Sequence, residues 1–425
     1  MLSSLAAIKG MNDILPPDSA RWEWLEEVVR RTMRRFAFAN IRTPIVEHTA
    51  LFARGLGENT DVVEKEMYSF QDRNDKYGDA DHLTLRPENT AGVVRALIEN
   101  GLLQQPHRLY SEGPMFRYEK PQKGRYRQFY QVSVEAFGSA SPVLDAELIQ
   151  LGHRLFQKLG VRDLLTLEIN SIGLAEERQR FQTALVDYLR RQADALDPDS
   201  RRRLDSNPLR ILDSKEATTQ ALLDDAPVLD DYLGAASRAH FQRLCQTLDE
   251  LGISYRRNPR LVRGLDYYNH TVFEWTTQAL GAQGTVCAGG RYDGLVEQLG
   301  GPATPASGFA FGVDRIYLLA EQVGFFPAPA PLLYALASRE DYLPRLLATA
   351  ARLREALPAL RVQVQTEVQA LKKQLQKADK SGARYALILG DDEFQSEHIS
   401  IKNLQTGQQQ TLTPEGLVSF LQEDL

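Results

Sequence analysis

Apolar side chains recur every three or four positions in two segments of the chain. In residues 20–39 they follow Pro-Asp-Ser, a typical helix start, and in residues 141–159 they place leucines along one face. Both patterns predict amphipathic helices. Residues 40–46 resemble a strand that contains Pro44. Because proline has no N–H for a sheet ladder, we expect Pro44 at a sheet edge or an interface.

The middle of the chain carries strand patterns on both sides of a charged helical region. Short apolar runs between residues 108 and 137 flank the polar stretch 119–127. They predict two antiparallel strands joined by a long basic loop, and such loops are usually functional. Residues 174–251 lack strand signals and are interpreted as an inserted helical module. Further along, residues 281–284 predict a hairpin turn, and the glycine-rich residues 289–291 predict a loop.

An alternating Ala-Pro stretch at residues 326–331 predicts a stiff, extended linker. Beyond it, strand and helix patterns alternate, which favours a parallel sheet in a separate small α/β domain. The segments, strands and helices in turn, are 332–337, 342–355, 362–366, 368–380 and 385–389.

Length and composition are those of a globular protein. The 425 residues suggest roughly two to four domains. A net charge of −6 argues against a uniformly basic binder, although local basic patches still attract phosphate. Two cysteines are too few for a disulfide framework or a four-cysteine zinc site, so we expect free thiols. With neither a signal peptide nor a long apolar run, we expect a cytoplasmic protein without membrane contact.

Common catalytic motifs are missing, and arginine stands out instead. The sequence has no P-loop, no dinucleotide fingerprint, no His-Glu-x-x-His and no Gly-x-Ser-x-Gly. Three arginines lie within predicted strands or near their ends: Arg117, Arg263 and Arg315. Each guanidinium can donate two parallel hydrogen bonds to a phosphate, so the three together could bind a triphosphate. For any one of them alone, a surface or salt-bridging role is the ordinary alternative.

Two glutamates occupy segments that otherwise look buried. Glu88 follows a strand pattern and precedes a helix, and Glu135 stands between Val134 and Ala136 in the second hairpin strand. A buried carboxylate is costly unless it is paired. Its partner could be the ammonium group of a substrate or an arginine of the chain, and the sequence leaves both open.

Five segments carry a family resemblance. Residues 113–129 resemble motif 2 of the class II aminoacyl-tRNA synthetases, 20–44 resemble motif 1, and 308–315 resemble motif 3. Residues 261–268 (Leu-Val-Arg-Gly-Leu-Asp-Tyr-Tyr) and 288–293 (Ala-Gly-Gly-Arg-Tyr-Asp) resemble two peptides that mark the histidine-specific group. Five motifs in this order identify the chain as similar to the histidyl-tRNA synthetase family.

The resemblance implies an α+β class II core, an antiparallel sheet flanked by helices, over residues 1–325. It implies a helical insertion at about 174–251, a linker at 326–331 and an anticodon-binding α/β domain at 332–425. The implied activity joins L-histidine to ATP as histidyl-adenylate and transfers histidine to the 3′ end of tRNA(His), releasing AMP and diphosphate. ATP is a substrate accompanied by Mg²⁺, with no protein metal site. The implied assembly is a homodimer built through motif 1, which gives Pro44 an interface role.

The resemblance also assigns roles to residues. Arg117 and Arg263 are the implied catalytic arginines near the α-phosphate, and Arg117, Arg125 and Arg315 the implied ATP contacts. The implied histidine-binding residues are Glu88, Thr90, Gln131, Glu135, Arg263, Tyr267, Tyr268 and Tyr292. The motif 2 loop implies tRNA contacts at Gln122, Lys123 and Arg127. One departure from the family pattern is Asn89, where glycine is expected, and asparagine tolerates the left-handed backbone that glycine would supply there.

Several alternatives accompany this interpretation. The first is a catalytically inactive paralogue that binds histidine and regulates a phosphoribosyltransferase. Such proteins typically lack the anticodon domain and the arginine-containing peptide, both of which this chain retains. A tRNA-sensing module and a class II enzyme for another amino acid are the others. The lysines of a C-terminal helix predict either a solvated face or a phosphate contact near the anticodon: Lys372, Lys373, Lys377 and Lys380.

Overall fold

A computed structural model describes residues 5–58, 60–72, 82–281, 284–329 and 331–424. The chain divides into two compact units, Met1–Phe326 and Pro327–Leu425. The predicted hairpin turn at 281–284 includes two residues outside the described ranges, and the predicted linker includes one.

The first unit contains both helices and strands. In chain order they are α1 (Asp18–Arg35), β1 (Ala39–Asn40), β2 (Val46–His48), α2 (Thr49–Leu56), β3 (Tyr68–Gln71), β4 (His82–Leu85), α3 (Thr90–Glu99), β5 (His107–Phe116), β6 (Gln128–Phe137), α4 (Pro142–Lys158), β7 (Thr166–Ser171), α5 (Ala175–Arg190), α6 (Pro198–Ser206), α7 (Ala217–Leu223), α8 (Ala235–Glu250), β8 (Arg256–Arg257), β9 (Asn269–Thr276), β10 (Thr285–Arg291), α9 (Leu295–Gln298), β11 (Ala306–Gly312) and α10 (Val313–Gln322).

An eight-stranded sheet organises the first unit, in the order β1-β5-β6-β11-β10-β9-β7-β8. All its neighbours are antiparallel except the short outer pairs β1–β5 and β7–β8. The predicted hairpin with a long loop is confirmed as β5 and β6, with residues 117–127 between them. A smaller sheet, in the order β2-β4-β3, accompanies it.

The predicted strand at residues 40–46 is wrong. Strand β1 ends at Asn40 and β2 begins at Val46, so Pro44 lies in the connection and is exposed in the single chain. The backbone there bonds to Arg86 instead of to a ladder: the Arg86 guanidinium donates to Thr43 O at 3.2 Å, and its amide donates to Ile45 O at 2.9 Å. Pro44 itself has no amide hydrogen to offer a neighbouring strand.

One side of the large sheet is covered by α1, α4 and α8. The periodic leucines of α4 are buried, and so are Leu25, Val29 and Met33 of α1. Helix α8 contributes Phe241 and Leu244 to this same core. The region predicted as an inserted module therefore ends in a helix that belongs to the main core, whereas α5 packs in a second core with Phe181 and Leu185.

The glycines predicted to form a loop at 289–291 lie within β10 instead. Gly289 pairs with Phe309 of β11 and Phe273 of β9, in the middle of the sheet. A side chain at Gly289 would collide with the backbone and side chain of β11. These glycines therefore allow neighbouring strands to pack closely, which is a common reason for glycine inside a strand.

The second unit contains β12 (Leu332–Ala337), α11 (Leu343–Ala356), β13 (Arg361–Val364), α12 (Leu371–Lys380), β14 (Tyr385–Leu389), α13 (Asp391–Ser396), β15 (Ile399–Asn403), β16 (Gln409–Leu412) and α14 (Pro414–Asp424). Its sheet has the order β13-β12-β14-β15-β16. The predicted parallel pairing holds for β12, β13 and β14, but β15 and β16 add an unpredicted antiparallel hairpin. None of the described helices is both long and apolar enough to span a bilayer.

Replacement of Phe156 by alanine should destabilise the first unit. Phe156 is fully buried and packs edge-on against Trp275 and Phe311, with ring centroids 5.5 and 6.0 Å away. The cavity left by Phe156→Ala is expected to cost about 3–5 kcal/mol. Urea unfolding followed by tryptophan fluorescence measures this unit alone, because Trp22, Trp24 and Trp275 all belong to it. Phe326→Ala, at a partly exposed ring, is the control, and equal losses would contradict the prediction.

Candidate active site

A cavity of about 320 Å³ opens over the centre of the large sheet. It gathers residues that are far apart in sequence, including both glutamates and the three arginines singled out above. The predicted site residues that line it are Glu88, Thr90, Arg117, Arg125, Gln131, Glu135, Arg263, Tyr267, Tyr268, Tyr292 and Arg315. Gln122, Lys123 and Arg127, the predicted tRNA contacts, lie outside it in the loop between β5 and β6.

Strand pairing explains why there is room for a cavity. Glu135 of β6 faces Gly308 of β11, which in turn faces Gly290 of β10. Directly paired residues of antiparallel strands project to the same side of a sheet. The two glycines therefore leave space beside the Glu135 side chain. A side chain at Gly308 would collide with the Glu135 carboxylate and approach the Tyr292 hydroxyl within 2.9 Å.

Glu135 is the buried acid at the inner end of the cavity, with 1% of its surface exposed. The Thr90 hydroxyl donates to one carboxylate oxygen at 2.7 Å, and the Tyr292 hydroxyl donates to the other. Burial raises the pKa of Glu135 to about 8, against the lowering effect of these two hydrogen bonds. The charge on nearby Glu88 raises it further. Near neutral pH this site therefore exchanges a proton easily.

Three tyrosines enclose Glu135. The rings of Tyr267 and Tyr268 have centroids 4.6 Å apart, and Tyr292 lies 5.5 and 6.3 Å from them. All three are nearly buried, and burial raises the pKa of each hydroxyl, so all remain neutral hydrogen-bonding groups. Arg178 of α5 donates to the Tyr268 carbonyl at 2.7 Å and ties this wall to the helical region. The result is a small aromatic pocket with one acid inside it.

Glu88 caps helix α3. Its carboxylate accepts the amides of Thr90 and Ala91 at 2.7 and 3.0 Å, a favourable use of a carboxylate at a helix N-terminus. Burial raises the pKa of Glu88, while these bonds and the charge of Arg117 oppose the shift. Both carboxylate oxygens thus accept amides at the start of the helix, and the residue also lines the cavity.

The expectation that Asn89 substitutes for a left-handed glycine is wrong. Its φ is −121°, outside the left-handed region. Its side chain is buried and links three segments: it donates to Ser111 at 2.6 Å, and accepts from Thr43 at 2.5 Å and from Arg86 at 3.3 Å. Asparagine is therefore used here for its two-sided hydrogen bonding.

Arg117 and Arg315 face each other across the outer part of the cavity. Nε of Arg117 donates to Pro87 O at 3.0 Å, and its guanidinium lies 5.3 Å from the centre of the Phe129 ring. Nε of Arg315 donates to Gly124 O at 2.9 Å. Burial lowers the pKa of Arg315, and the positive charge of Arg117 lowers it further. Two like charges brought together in this way favour an anion between them.

Arg263 is fixed by an ion pair with Glu274 of β9. Although burial opposes its charge, the Glu274 carboxylate raises the pKa of Arg263 above its ordinary value. Its guanidinium also lies 5.6 Å from the centre of the Tyr268 ring. Glu274 accepts a second hydrogen bond, from the Thr285 hydroxyl at 2.9 Å. The guanidinium is thus held beside the aromatic pocket by Glu274.

Arg125 is paired with Glu119 and has Glu66 at 3.8 Å. Among the described residues, no cluster of three or more His, Cys, Asp or Glu side chains could hold a metal ion.

The cavity also contains residues that the sequence analysis missed. They are Glu119, Arg210, Glu274 and Asp314. Glu274 had a visible signal, since it stands between Phe273 and Trp275 just as Glu135 stands between Val134 and Ala136.

The raised pKa of Glu135 gives a pH-dependent stability. Native Glu135 keeps its proton up to a pH of about 8, whereas the unfolded chain releases it near 4.5, so this contribution is full at low pH and is lost as the pH rises. We expect the free energy of unfolding of the wild type, minus that of Glu135→Gln, to fall by up to about 1.4 kcal/mol per pH unit between about pH 5 and 8. Urea titrations at fixed pH measure it. A difference that stays flat across this range would contradict the assignment.

Comparisons with known proteins identify the family of this chain. Residues 10–316 match the family model described as histidyl-tRNA synthetase, and residues 336–424 match the model described as anticodon binding domain. The apo histidyl-tRNA synthetase of S. aureus is 34% identical, with a TM-score of 0.79, and the match covers 98% of this chain and 99% of that one.

Two more distant structures share the fold. The histidyl-tRNA synthetase of Nostoc sp. PCC 7120 is 21% identical over 99% of both chains, with a TM-score of 0.69. A Bacillus halodurans protein described as an ATP phosphoribosyltransferase regulatory subunit/histidyl-tRNA synthetase is 20% identical over 91% of this chain and 98% of that chain, with a TM-score of 0.65. The family model covers well over half of the sequence, and the S. aureus enzyme matches it almost end to end, so this chain belongs to the histidyl-tRNA synthetase family.

Proposed function

We propose that this chain is a histidine–tRNA ligase. It activates L-histidine with ATP to histidyl-adenylate and transfers the histidyl group to the 3′ end of tRNA(His). The observation that carries the proposal is a single cavity with two chemically different ends. A tyrosine-lined pocket with a buried acid lies in one part of it, with Arg263 beside the Tyr268 ring, and Arg117 and Arg315 line the same cavity. An amino acid and a triphosphate would meet at Arg263.

Histidine binds in the aromatic pocket. Glu135, held by Thr90 and Tyr292, offers a carboxyl group to an imidazole N–H or to the α-ammonium, and Glu88 adds a second acid. Gln131 supports this assignment, because its side-chain oxygen is buried in the cavity wall and has no hydrogen-bond partner among the described residues. An unpartnered buried acceptor is costly, and a ligand that donates to it removes that cost.

Activation requires no protein nucleophile. A carboxylate oxygen of histidine attacks the α-phosphorus of ATP, a new P–O bond forms, and the bond to the departing pyrophosphate breaks. Negative charge grows on the α-phosphoryl oxygens, where Arg117 and Arg263 act as preorganised donors. Arg315 and Arg125 hold the β- and γ-phosphates, which requires the Arg125 guanidinium to exchange part of its contact with Glu119 for phosphate.

Mg²⁺ is proposed to enter with ATP. Glu119 and Glu274, the carboxylates nearest the cavity arginines, are already paired with Arg125 and Arg263. The phosphates and water are therefore the main ligands of the ion, as Mg²⁺ prefers at nucleotide sites. When bound, it neutralises charge on the departing pyrophosphate.

Transfer follows at the same site. A 3′-terminal hydroxyl of tRNA(His) attacks the carbonyl carbon of the adenylate, an ester forms, and AMP leaves. Gln122, Lys123 and Arg127 of the β5–β6 loop approach the acceptor end of the tRNA.

Residues 332–425 hold the anticodon, and the lysines of α12 are candidates for phosphate contacts there. Residues 1–325 form the catalytic domain in this assignment, with the insertion at about 174–251, and the setting is the cytoplasm, where translation consumes the product.

The inactive regulatory paralogue is less well supported. Such a protein needs the histidine pocket but has no use for a triphosphate clamp. In this chain Arg117, Arg263 and Arg315 all line the same cavity, and residues 336–424 match an anticodon-binding model. A regulatory role would explain neither feature.

Replacement of Arg263 by alanine should strongly slow activation. Loss of one preorganised donor at the α-phosphate is expected to slow histidine-dependent exchange of pyrophosphate into ATP by about 10²–10³-fold. Arg263→Lys should restore only part of the rate, because a lysine lacks the planar fork. The exchange is measured without tRNA, with each of the twenty amino acids in turn.

The matched control is Arg256→Ala, which removes an exposed arginine that is paired with Glu168 on the same sheet. It should exchange at the wild-type rate. Wild-type exchange with an amino acid other than histidine would refute the specificity. Histidine binding without any exchange would refute the ligase and favour the regulatory paralogue.

The homodimer is a further part of the proposal. Pro44 is exposed in the single chain, and the adjoining Ile45 and Val46 expose 42% and 38% of their surfaces beside α1.

Ile45→Asp would place an unpaired charge in the proposed interface, at a cost of roughly 3–5 kcal/mol, so the dimer dissociation constant should rise at least about a hundredfold. Sedimentation across a concentration series measures it. Val143→Asp, at a similarly exposed position on α4, should remain dimeric, and a monomeric wild type would refute the assembly.

A further inference from the structure

The N-terminal segment of the chain makes a turn that touches the β5–β6 loop. Residues 8–11 form this N-terminal turn, closed by a hydrogen bond from the Met11 amide to Ile8 O at 2.8 Å. Gly10 has a φ of +86° at the third position, as in a type II turn. Its carbonyl accepts two backbone amides from the loop, those of Arg127 at 2.8 Å and Gln128 at 3.1 Å.

The contact also includes side chains. A Cβ at Gly10 would lie 2.7 Å from Cγ of Pro121 and 3.1 Å from Cγ of Arg127, closer than carbon atoms pack. The backbone of Gly10 therefore lies directly against the loop, and its conformation and its lack of a side chain are both required there. Gly10 does not line the catalytic cavity.

Other bonds hold the rest of the loop, among them one from Nε of Arg127 to Glu119 O at 3.1 Å and one from the Tyr118 amide to Glu66 O at 2.7 Å. The Arg117 amide donates to Arg127 O at 2.9 Å at its base, and Gln122 and Arg125 exchange two backbone hydrogen bonds, at 3.0 and 2.9 Å, at its tip. Arg315 holds Gly124 O from the cavity side. The Arg127 guanidinium lies 4.2 Å from the centre of the exposed Tyr118 ring. On the outer side, the N-terminal turn supplies the acceptor for the returning arm of the loop.

We propose that the N-terminal turn is a positioning element for the tRNA-dependent step. By fixing Arg127 and Pro121 through Gly10, it sets the loop conformation that presents Gln122, Lys123 and Arg127 to the acceptor end of the tRNA. The inference rests on the proposed function, and it predicts that the two half-reactions separate. Activation uses the cavity side of the loop and does not need the turn, whereas transfer needs its outer side.

The test compares Gly10→Ala with the matched control Gly300→Ala. Gly300 has a φ of +92°, so alanine meets the same backbone strain there, but no atom of the described residues lies within 4 Å of its added carbon. We expect Gly10→Ala to raise the KM for tRNA(His) about tenfold or more, because small misplacements of substrate-binding groups have large kinetic effects. Pyrophosphate exchange with histidine should stay within about twofold of wild type, as expected for a residue outside the activation chemistry. Gly300→Ala should change neither.

A second pair of variants separates contact from strain and guards against misfolding. Asparagine tolerates a left-handed backbone, so Gly10→Asn should fold more readily than Gly10→Ala yet show the same tRNA defect. Adding Pro121→Ala to Gly10→Ala removes the closest colliding atom and should restore part of the affinity for tRNA, measured against Pro121→Ala alone.

Three outcomes would overturn the proposal. Exchange and transfer could fall together in both Gly10 variants, transfer could be unchanged in them, or Gly300→Ala could reproduce the defect. Failure of the proposed function itself would be distinct, because wild-type protein would then show no histidine-dependent exchange before any variant is made.

Discussion

Glu135 lies in the middle of a close-packed sheet with 1% of its surface exposed, and an ionisable group in that position must find its partners inside the protein. Much of the site follows from this requirement. Thr90 reaches Glu135 from the start of α3, and Tyr292 reaches it from the end of β10. The glycines opposite it on β11 and β10 leave room for both contacts. The start of α3, strand β6 and the residue after β10 are thereby tied to one carboxyl group.

A second buried charge stabilises the end of β10, the strand that leads into Tyr292. Arg291 immediately precedes Tyr292 and is fully buried. Its guanidinium pairs with Asp145 of α4 at 2.7 Å and with Asp293 at 3.0 Å, and it donates to Ser139 O and Ser141 O. Asp145 also contacts His240 of α8 at 3.0 Å. A fully satisfied buried network of this kind costs little net stability and fixes the conformation of its segment, which here is the segment that carries Tyr292.

Much of the fold was predictable because its signals are local or periodic. The leucine stripe of α4, the β5–β6 hairpin and the strands β12 and β14 come from side-chain spacing that one segment contains by itself. The errors arose where distant residues decide. Arg86 takes the backbone bonds around Pro44, and β9 and β11 convert a glycine-rich sequence into a central strand. The side chain of Asn89 bonds to Thr43 and Ser111, both remote in sequence. That the site arginines line one cavity was predicted from the family motifs. The spacing of these residues in the sequence does not show that they lie close together.

The burial that makes Glu135 costly also provides selectivity in the proposed pocket. A ligand N–H that donates to Glu135 or to the buried Gln131 oxygen adds a hydrogen bond inside the protein, whereas an analogue without it leaves the Gln131 oxygen with no partner among the described residues. A site built around buried hydrogen bonds rejects such analogues by roughly 10⁴–10⁵, far more than a pocket that discriminates by one methylene. Selection at the first step is then sufficient, and the enzyme needs no separate site to hydrolyse mischarged tRNA. The cost of holding an acid in the sheet and the discrimination among amino acids are thus two consequences of one arrangement.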